Sequence, residues 1–337
     1  MKKVSAILLI ILCFFFFGCN DSKKSKDVEK TEEIVLPEIT ILGLENNLTR
    51  IYEYNSQNLT PTKISFQDEI IDFTKQNNTI LFKQITKDKN IQYYLISKNK
   101  KVFIKNSNTI NALKLSKDGK KVIYNEENND NIQYYIFDIL QESKNELRKD
   151  IIISGDMYQW LDDEKIIFYG VDNSQASGIF IYDIINDKLI RLYTVQGYLE
   201  FFSLVSDNKL LVLKNDLNNN KQLILYDLEN NSKKELTNRV ERVDSAVSFG
   251  GTIYIEGNVK NNKYSIYEIT EAGKINRLIY DFPKILSEKQ KIVCDKDGNL
   301  IFIGYQEDYQ KQEVYVYNVK ERYVKVISSR QIEYRVH

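Results

Sequence analysis

Ile179-Phe180-Ile181-Tyr182-Asp183 is a short alternation of aliphatic and aromatic side chains that stops at an acid. The same shape recurs at Ile51–Asn55, Tyr93–Ser97, Tyr134–Asp138, Leu223–Asp227, Tyr264–Glu268 and Val314–Asn318. Successive end points lie 42, 41, 45, 44, 41 and 50 residues apart. A period of about 40–45 residues that holds several short strands is the signature of propeller blades.

A second feature keeps phase with the first. Ahead of each later copy stands a polar turn and then an apolar strand. Lys117-Asp118-Gly119-Lys120 precedes Lys121–Tyr124, Asp162–Lys165 precedes Ile166–Tyr169, and Ser206–Lys209 precedes Leu210–Leu213. Gly250-Gly251 and Asp297-Gly298-Asn299 serve Ile253–Glu256 and Leu300–Ile303. Asp-Gly, Gly-Gly and Asp-Asn supply the positive φ angles that tight hairpins need. A fourth strand follows each copy, as at Arg191–Thr194, Glu235–Thr237 and Lys325–Ser328. The strands are rich in Tyr, Phe, Ile and Val, which suit a pleated, packed surface. No stretch holds a 3.6-residue period. The reading is all-β: a β-propeller of four-stranded antiparallel blades filling residues 35–337. Such a unit cannot bury its own faces, whereas stacked neighbours in a closed ring can.

Leu113–Tyr124, with Asp118, Gly119 and Lys120, resembles the propeller repeat of TolB and of the N-terminal domains of prolyl oligopeptidases, a WD40-like repeat of the PD40 type. Lys117 stands where that family usually has proline. Val293–Ile303 is a second, weaker match. The resemblance spans residues 38–328 and implies a fold whose members act mostly as interaction platforms.

Seven copies of the third strand predict seven blades, with six or eight left open. The first unit lacks an innermost strand of its own. The chain end offers one: Ile332, Tyr334 and Val336 alternate with polar residues over 330–337, a period of two. This segment is expected to pair into the first blade and fasten the ring.

The N-terminus reads as a processing signal. Lys2 and Lys3 precede an apolar or small-residue run from Val4 to Phe17, too short to span a bilayer. Phe16-Phe17-Gly18-Cys19 resembles the lipobox of bacterial lipoproteins, with Phe16 in place of the usual Leu and Phe17 in place of a small residue. That resemblance implies a signal peptide over 1–18, cleavage after Gly18 and a lipidated (palmitate-type) Cys19. Two or more acyl chains would anchor the chain stably to membrane lipid. Residues 19–34 then form a tether, too charged and too poor in apolar groups to fold. The expected location is the extracytoplasmic face of a cell membrane, within the cell envelope.

Loss of residues 1–18 leaves 45 basic residues against 47 acidic. Nucleic-acid binding loses its electrostatic basis at that balance. Cys13 leaves with the signal and Cys19 is acylated, so Cys294 has no disulfide partner within the mature chain. The single histidine is His337, which argues against His-based triads and dyads. The hydrolase domain that follows the propeller in prolyl oligopeptidases is not expected within these residues. Zinc would need several Cys or His ligands, and no Gly-rich phosphate loop is present. Asp295–Asn299 has part of a calcium loop, but a hairpin turn explains the same residues. The Asn-rich stretches 125–131 and 215–220 read as solvated connections. No metal or cofactor is expected, and the chain is read as a monomer and not an enzyme.

The binding face is expected where the loops entering each innermost strand converge around the axis, an argument from fold analogy. Candidates there are Tyr158, Trp160, Tyr198, Glu200, Arg242 and Asp244, because Trp, Tyr and Arg dominate interface energetics. The competing role for Trp160 is packing between blades. Two functions follow. The first is non-catalytic binding of an envelope protein or a cell-wall glycan. The second is a carbohydrate-active enzyme, a glycosidase or lyase, with paired carboxylates in the central funnel.

Overall fold

Both faces of each second strand are apolar, so each blade has to be covered on both sides. In Thr252–Val259, Ile253 and Ile255 point into one buried cluster and Tyr254 into the next. Seven such clusters alternate with seven antiparallel sheets, and each cluster joins one blade to its neighbour. The computed structural model is therefore a seven-bladed β-propeller. It describes residues 34–336 apart from 56–57, 99, 107–108, 129–130, 149, 151, 289, 308–310 and 331. The signal peptide, Cys19, nearly all of the tether and His337 lie outside the described residues.

Counting from the N-terminus, blades 2 to 6 each begin with their innermost strand: Glu69–Thr74, Ile110–Leu115, Ile152–Trp160, Tyr198–Ser206 and Val240–Phe249. Blade 1 is built differently. Its first three strands in sequence, Thr40–Glu45, Leu48–Asn55 and Asn58–Phe66, take the outer places. The innermost place is filled by Glu333–Val336 from the chain end. Ile41 stands opposite Val336 and Gly43 opposite Tyr334. The alternation at the C-terminus thus closes the ring as expected. Tyr334 is fully buried and meets Tyr52 edge-on, with ring centres 5.7 Å apart.

Blade 7 departs from the four-strand pattern. Its inner position is split into two fragments, Ile285–Leu286 and Val293–Cys294, both paired with Leu300–Tyr305. The 50-residue spacing before the last repeat is the trace of that interruption.

The turns follow from their residues. Asp118 accepts from the Ser116 hydroxyl at 2.8 Å and from the Lys120 amide at 3.1 Å. Gly119 has φ +67°, and a Cβ there would meet Thr79 Oγ1 of blade 2 at 2.7 Å, so the turn needs glycine for conformation and for packing. Asp295 forms the corresponding turn. It accepts from the amides of Asp297 (2.9 Å) and Asn299 (2.8 Å) and from the Tyr54 hydroxyl (3.0 Å). Asp295–Asn299 is the hairpin turn.

Candidate functional site

The inner strands surround an axial cavity of about 560 Å³, to which blades 2, 3, 4, 5 and 7 contribute residues. Its walls in blades 3 to 5 come from the ends of the inner strands and the turns after them: Leu113–Leu115, Gln159, Trp160 and Leu204–Asp207. The cavity therefore opens away from the face where the chain crosses from blade to blade.

Two charged residues owe their placement to bulges. Register slips between Ile70 and Asp72 in blade 2, and between Asn111 and Lys114 in blade 3, where Ala112 takes φ +51°. A bulge re-aims the side chain beside it. Asp72 and Lys114 both stand immediately after one, and both line the cavity.

Lys114 is held on three sides. Its ammonium donates to the carbonyls of Asp156 (2.9 Å) and Tyr158 (2.6 Å) and lies 4.6 Å from the centre of the Tyr158 ring. Desolvation lowers its pKa to about 8; Asp156 opposes that shift and the charge of Lys291 adds to it. The Asp72 carboxylate accepts from the Leu115 amide (2.8 Å) and the Phe73 amide (2.9 Å). Burial still pushes its pKa up, against those bonds and the nearby Lys291 and Lys114. Gln159 spans blades 4 and 5, accepting from the Leu204 amide at 2.6 Å. At the rim, Lys117 of blade 3 reaches Asp207 of blade 5 at 2.7 Å.

A second charged cluster lies between blades 6 and 7. Arg242 pairs with Asp244 (2.9 Å) and Glu288 (3.0 Å), and its guanidinium sits 5.5 Å from the centre of the Tyr264 ring. Glu256 is buried and accepts from the Tyr264 hydroxyl at 3.1 Å. Desolvation, with Asp244 and Glu288 nearby, raises its pKa to about 8. A further cavity of about 370 Å³ lies at the seam of blades 1 and 2. It is lined by three carboxylates, Asp68, Glu69 and Glu333, against the two cations Lys83 and Arg335, with Glu69 paired to Arg335 at 2.6 Å and to Lys83 at 3.5 Å.

The residues singled out in the sequence fall into three places. All six are corrected in position: Tyr158, Trp160, Tyr198, Glu200, Arg242 and Asp244 lie within innermost strands and not in the loops that lead into them, and of the six only Trp160 lines the axial cavity. Tyr158 is 0% exposed and Trp160 5%. Tyr158 donates to the Ala112 carbonyl, and Trp160 Nε1 donates to the Lys114 carbonyl at 2.9 Å. Both pack between blades 3 and 4. Tyr198 and Glu200 are joined through Asn215, whose side-chain amide donates to each, at 2.8 and 3.0 Å. Lys221 then links Glu200 (2.5 Å) to the Glu241 carbonyl of blade 6 (2.8 Å). Arg242 and Asp244 form the ion pair already described.

Asn125 and Asn215 are buried, so the Asn-rich stretches are not solvated throughout. Asp72, Lys114, Glu256, Glu288 and Lys291 were not singled out. The signal for two of them was present. Leu113-Lys114-Leu115 and Ile70-Ile71-Asp72-Phe73 each set a charge into an apolar inner strand.

No family model matches this chain, and no curated protein matches it either. Solved structures do match. An uncharacterized protein from Listeria monocytogenes EGD-e is 14% identical with a TM-score of 0.58, over 86% of this chain and 90% of that one. The oligogalacturonate lyase of Vibrio parahaemolyticus is 12% identical with a TM-score of 0.53, over 77% and 73%. TolB from Acinetobacter baumannii is 15% identical with a TM-score of 0.48, over 88% of this chain. The chain spans 64% of TolB's own length. The first two of these show a shared β-propeller fold, and at such identities the fold alone.

Proposed function

We propose that this chain is a lipid-anchored binding module on the extracytoplasmic face of a membrane, held there through acylated Cys19, and that its axial cavity receives a segment of an envelope protein without catalysis. The observation that carries this reading is how the cavity's polar groups are committed. Asp72 is tied by two backbone amides, Lys114 by two carbonyls, and Asp207 at the rim by Lys117. A glycosidase needs two carboxylates facing one void with room for substrate between them. A cavity formed by several blades, with a few fixed polar groups among apolar walls, has the make-up of a binding site. A protein segment suits it better than a glycan. Trp160, the aromatic residue of its wall, is too buried to offer a ring face to a sugar.

The test is photo-crosslinking in cells, with the crosslinker at Asp207, whose side chain is 89% exposed. One abundant protein adduct is expected, absent when the crosslinker sits at Lys320. A Cys19→Ser chain should lose both palmitate labelling and membrane retention. Adducts no different from the Lys320 control would sink the reading.

One observation favours an enzyme instead. Glu256, with its raised pKa beside Asp244, is a carboxyl group poised to hold a proton near neutral pH. It lies outside the axial cavity. If this alternative is right, oligogalacturonate or cell-wall oligosaccharides incubated with the protein will yield cleavage products, and Glu256→Gln will abolish them.

A further inference from the structure

We propose that the cavity at the seam of blades 1 and 2 is a second binding site, which takes a partner-protein segment carrying a basic side chain next to an aliphatic one. The site is separate from the axial cavity. Gln67 and Asp68 form the crossing from the outer strand of blade 1 to the inner strand of blade 2, and both line the seam cavity. It therefore lies on the crossing face, opposite the mouth of the axial cavity. At about 370 Å³ it falls within the size range of ligand pockets. Leu42 and Ile70 in its wall are buried, whereas Leu44 and Ile85 are 44% and 69% exposed. Single exposed apolar side chains are ordinary, but two on one cavity with further apolar wall beneath them form a surface that a partner can cover.

The polar groups decide the charge of the occupant. Arg335 donates to Glu69 at 2.6 Å and to Glu333 at 3.2 Å, and Lys83 lies 3.5 Å from Glu69. Both cations of the cavity are thus engaged by carboxylates. Asp68 is held differently. Its Oδ2 accepts from the Tyr94 hydroxyl at 2.6 Å and from the Gln84 side-chain amide at 3.0 Å, two neutral donors. Among the described residues no cation pairs with it, and its Oδ1 has no partner. Lys101 sits over the Tyr94 ring, 3.6 Å from its centre, and not on Asp68. Tyr94 and Gln84 hold the carboxylate in place before anything binds. An ammonium or guanidinium arriving at Asp68 gains a charge-assisted hydrogen bond and displaces no existing ion pair. An anion would meet Asp68, Glu69 and Glu333 instead, and a neutral group would gain no charge-assisted bond. The aliphatic neighbour covers Leu44 and Ile85.

The test uses the full-length chain and three capped tripeptides: acetyl-leucyl-lysyl-leucine amide and its counterparts with norleucine or glutamate in the middle. Isothermal titration calorimetry at low salt reads the affinities. The lysine peptide is expected to bind, the norleucine peptide about tenfold more weakly, and the glutamate peptide more weakly still. Asp68→Asn keeps an oxygen for Tyr94 and Gln84 but removes the charge. It should weaken the lysine peptide about tenfold, the loss expected of one charge-assisted hydrogen bond, and leave the norleucine peptide unchanged. Ile85→Ser, at an exposed position, should weaken the lysine peptide about fourfold or more, since burying a single methylene is worth that much. Leu217→Ser, in blade 5 and 86% exposed, is the control and should change nothing.

Equal binding of the lysine and norleucine peptides, tighter binding of the glutamate peptide, or no binding of any would overturn the inference. So would an unaltered lysine-peptide affinity in Asp68→Asn or in Ile85→Ser. Crosslinking from Asp207 reads the opposite face of the ring, so neither experiment decides the other.

Discussion

The Lys114 ammonium donates to the Tyr158 carbonyl at 2.6 Å, tying blade 3 to blade 4 at the wall of the axial cavity. Lys114→Met keeps much of the side-chain volume but removes the donor that serves Asp156 and Tyr158. Two carbonyls are then left without it, at an expected cost of about 1–3 kcal/mol. Lys291 is exposed, and Lys291→Gln should stay within about 0.5 kcal/mol of the parent. Urea unfolding midpoints will separate the two. Equal stabilities would mean that the two carbonyls are satisfied without Lys114.

The same lysine gives the stability of the fold a pH dependence on the alkaline side. Burial first, and then Lys291, lower its pKa to about 8, while Asp156 and Asp72 oppose the shift. The other charged groups of the cavity, Lys117 and Asp207, stand at its rim. Between that value and the ordinary 10.5 the unfolded chain holds a proton that the folded chain has released, so this group makes stability rise with pH across that window. Urea unfolding midpoints should therefore show an upward step from this group above about pH 8. In Lys114→Met that step should vanish, and its persistence there would assign the titration to another group.

Ring closure depends on the last strand. Tyr334 is fully buried, packs on Tyr52 and donates to the Arg330 carbonyl at 2.9 Å. Arg335 in the same strand holds Glu69 of blade 2 at 2.6 Å. Tyr334→Ala should cost about 3–5 kcal/mol, as large aromatic truncations in cores do. Deleting residues 330–337 should cost more, because it exposes the second strand of blade 1 as a new inner edge. Scanning calorimetry will measure both, and an unchanged melting temperature for the deletion would refute the closure role.

How far these features are legible in the sequence depends on how local their causes are. Ile253, Tyr254 and Ile255 announce a doubly covered strand because each side chain must be apolar for its own reason. Tyr334 and Val336 announce the closing strand by alternation alone. The split inner position of blade 7 shows only as a longer spacing, since two short fragments leave no run of strand-forming residues. The cavity is less legible still. Lys114 faces it because the register slips at Asn111, and nothing in the stretch around Ala112 encodes a positive φ as glycine would. Trp160 drew attention as a contact residue, yet its environment is decided by the Lys114 carbonyl, 46 residues away. Glu256 became a charged oddity only when Tyr264, Asp244 and Glu288 were folded onto it.

That cluster gives the stability of the protein a sign against pH. Desolvation above all raises the pKa of Glu256 in the folded chain to about 8, from an ordinary value of 4.5. Between those values the folded chain holds a proton that the unfolded chain has released. Stability should therefore be greatest near pH 5 and fall toward pH 8, by on the order of a few kcal/mol from this group. Glu256→Gln presents a neutral side chain at every pH, and its amide oxygen can accept from Tyr264 as the carboxyl does. Urea midpoints across pH 5–8 should slope downward in the parent and lie flatter in the variant, with the variant the more stable at pH 8. If the slope survives the substitution, the burial of Glu256 does not govern it, and Asp72, the other acid whose pKa is raised by desolvation at the axial cavity, becomes the group to replace next.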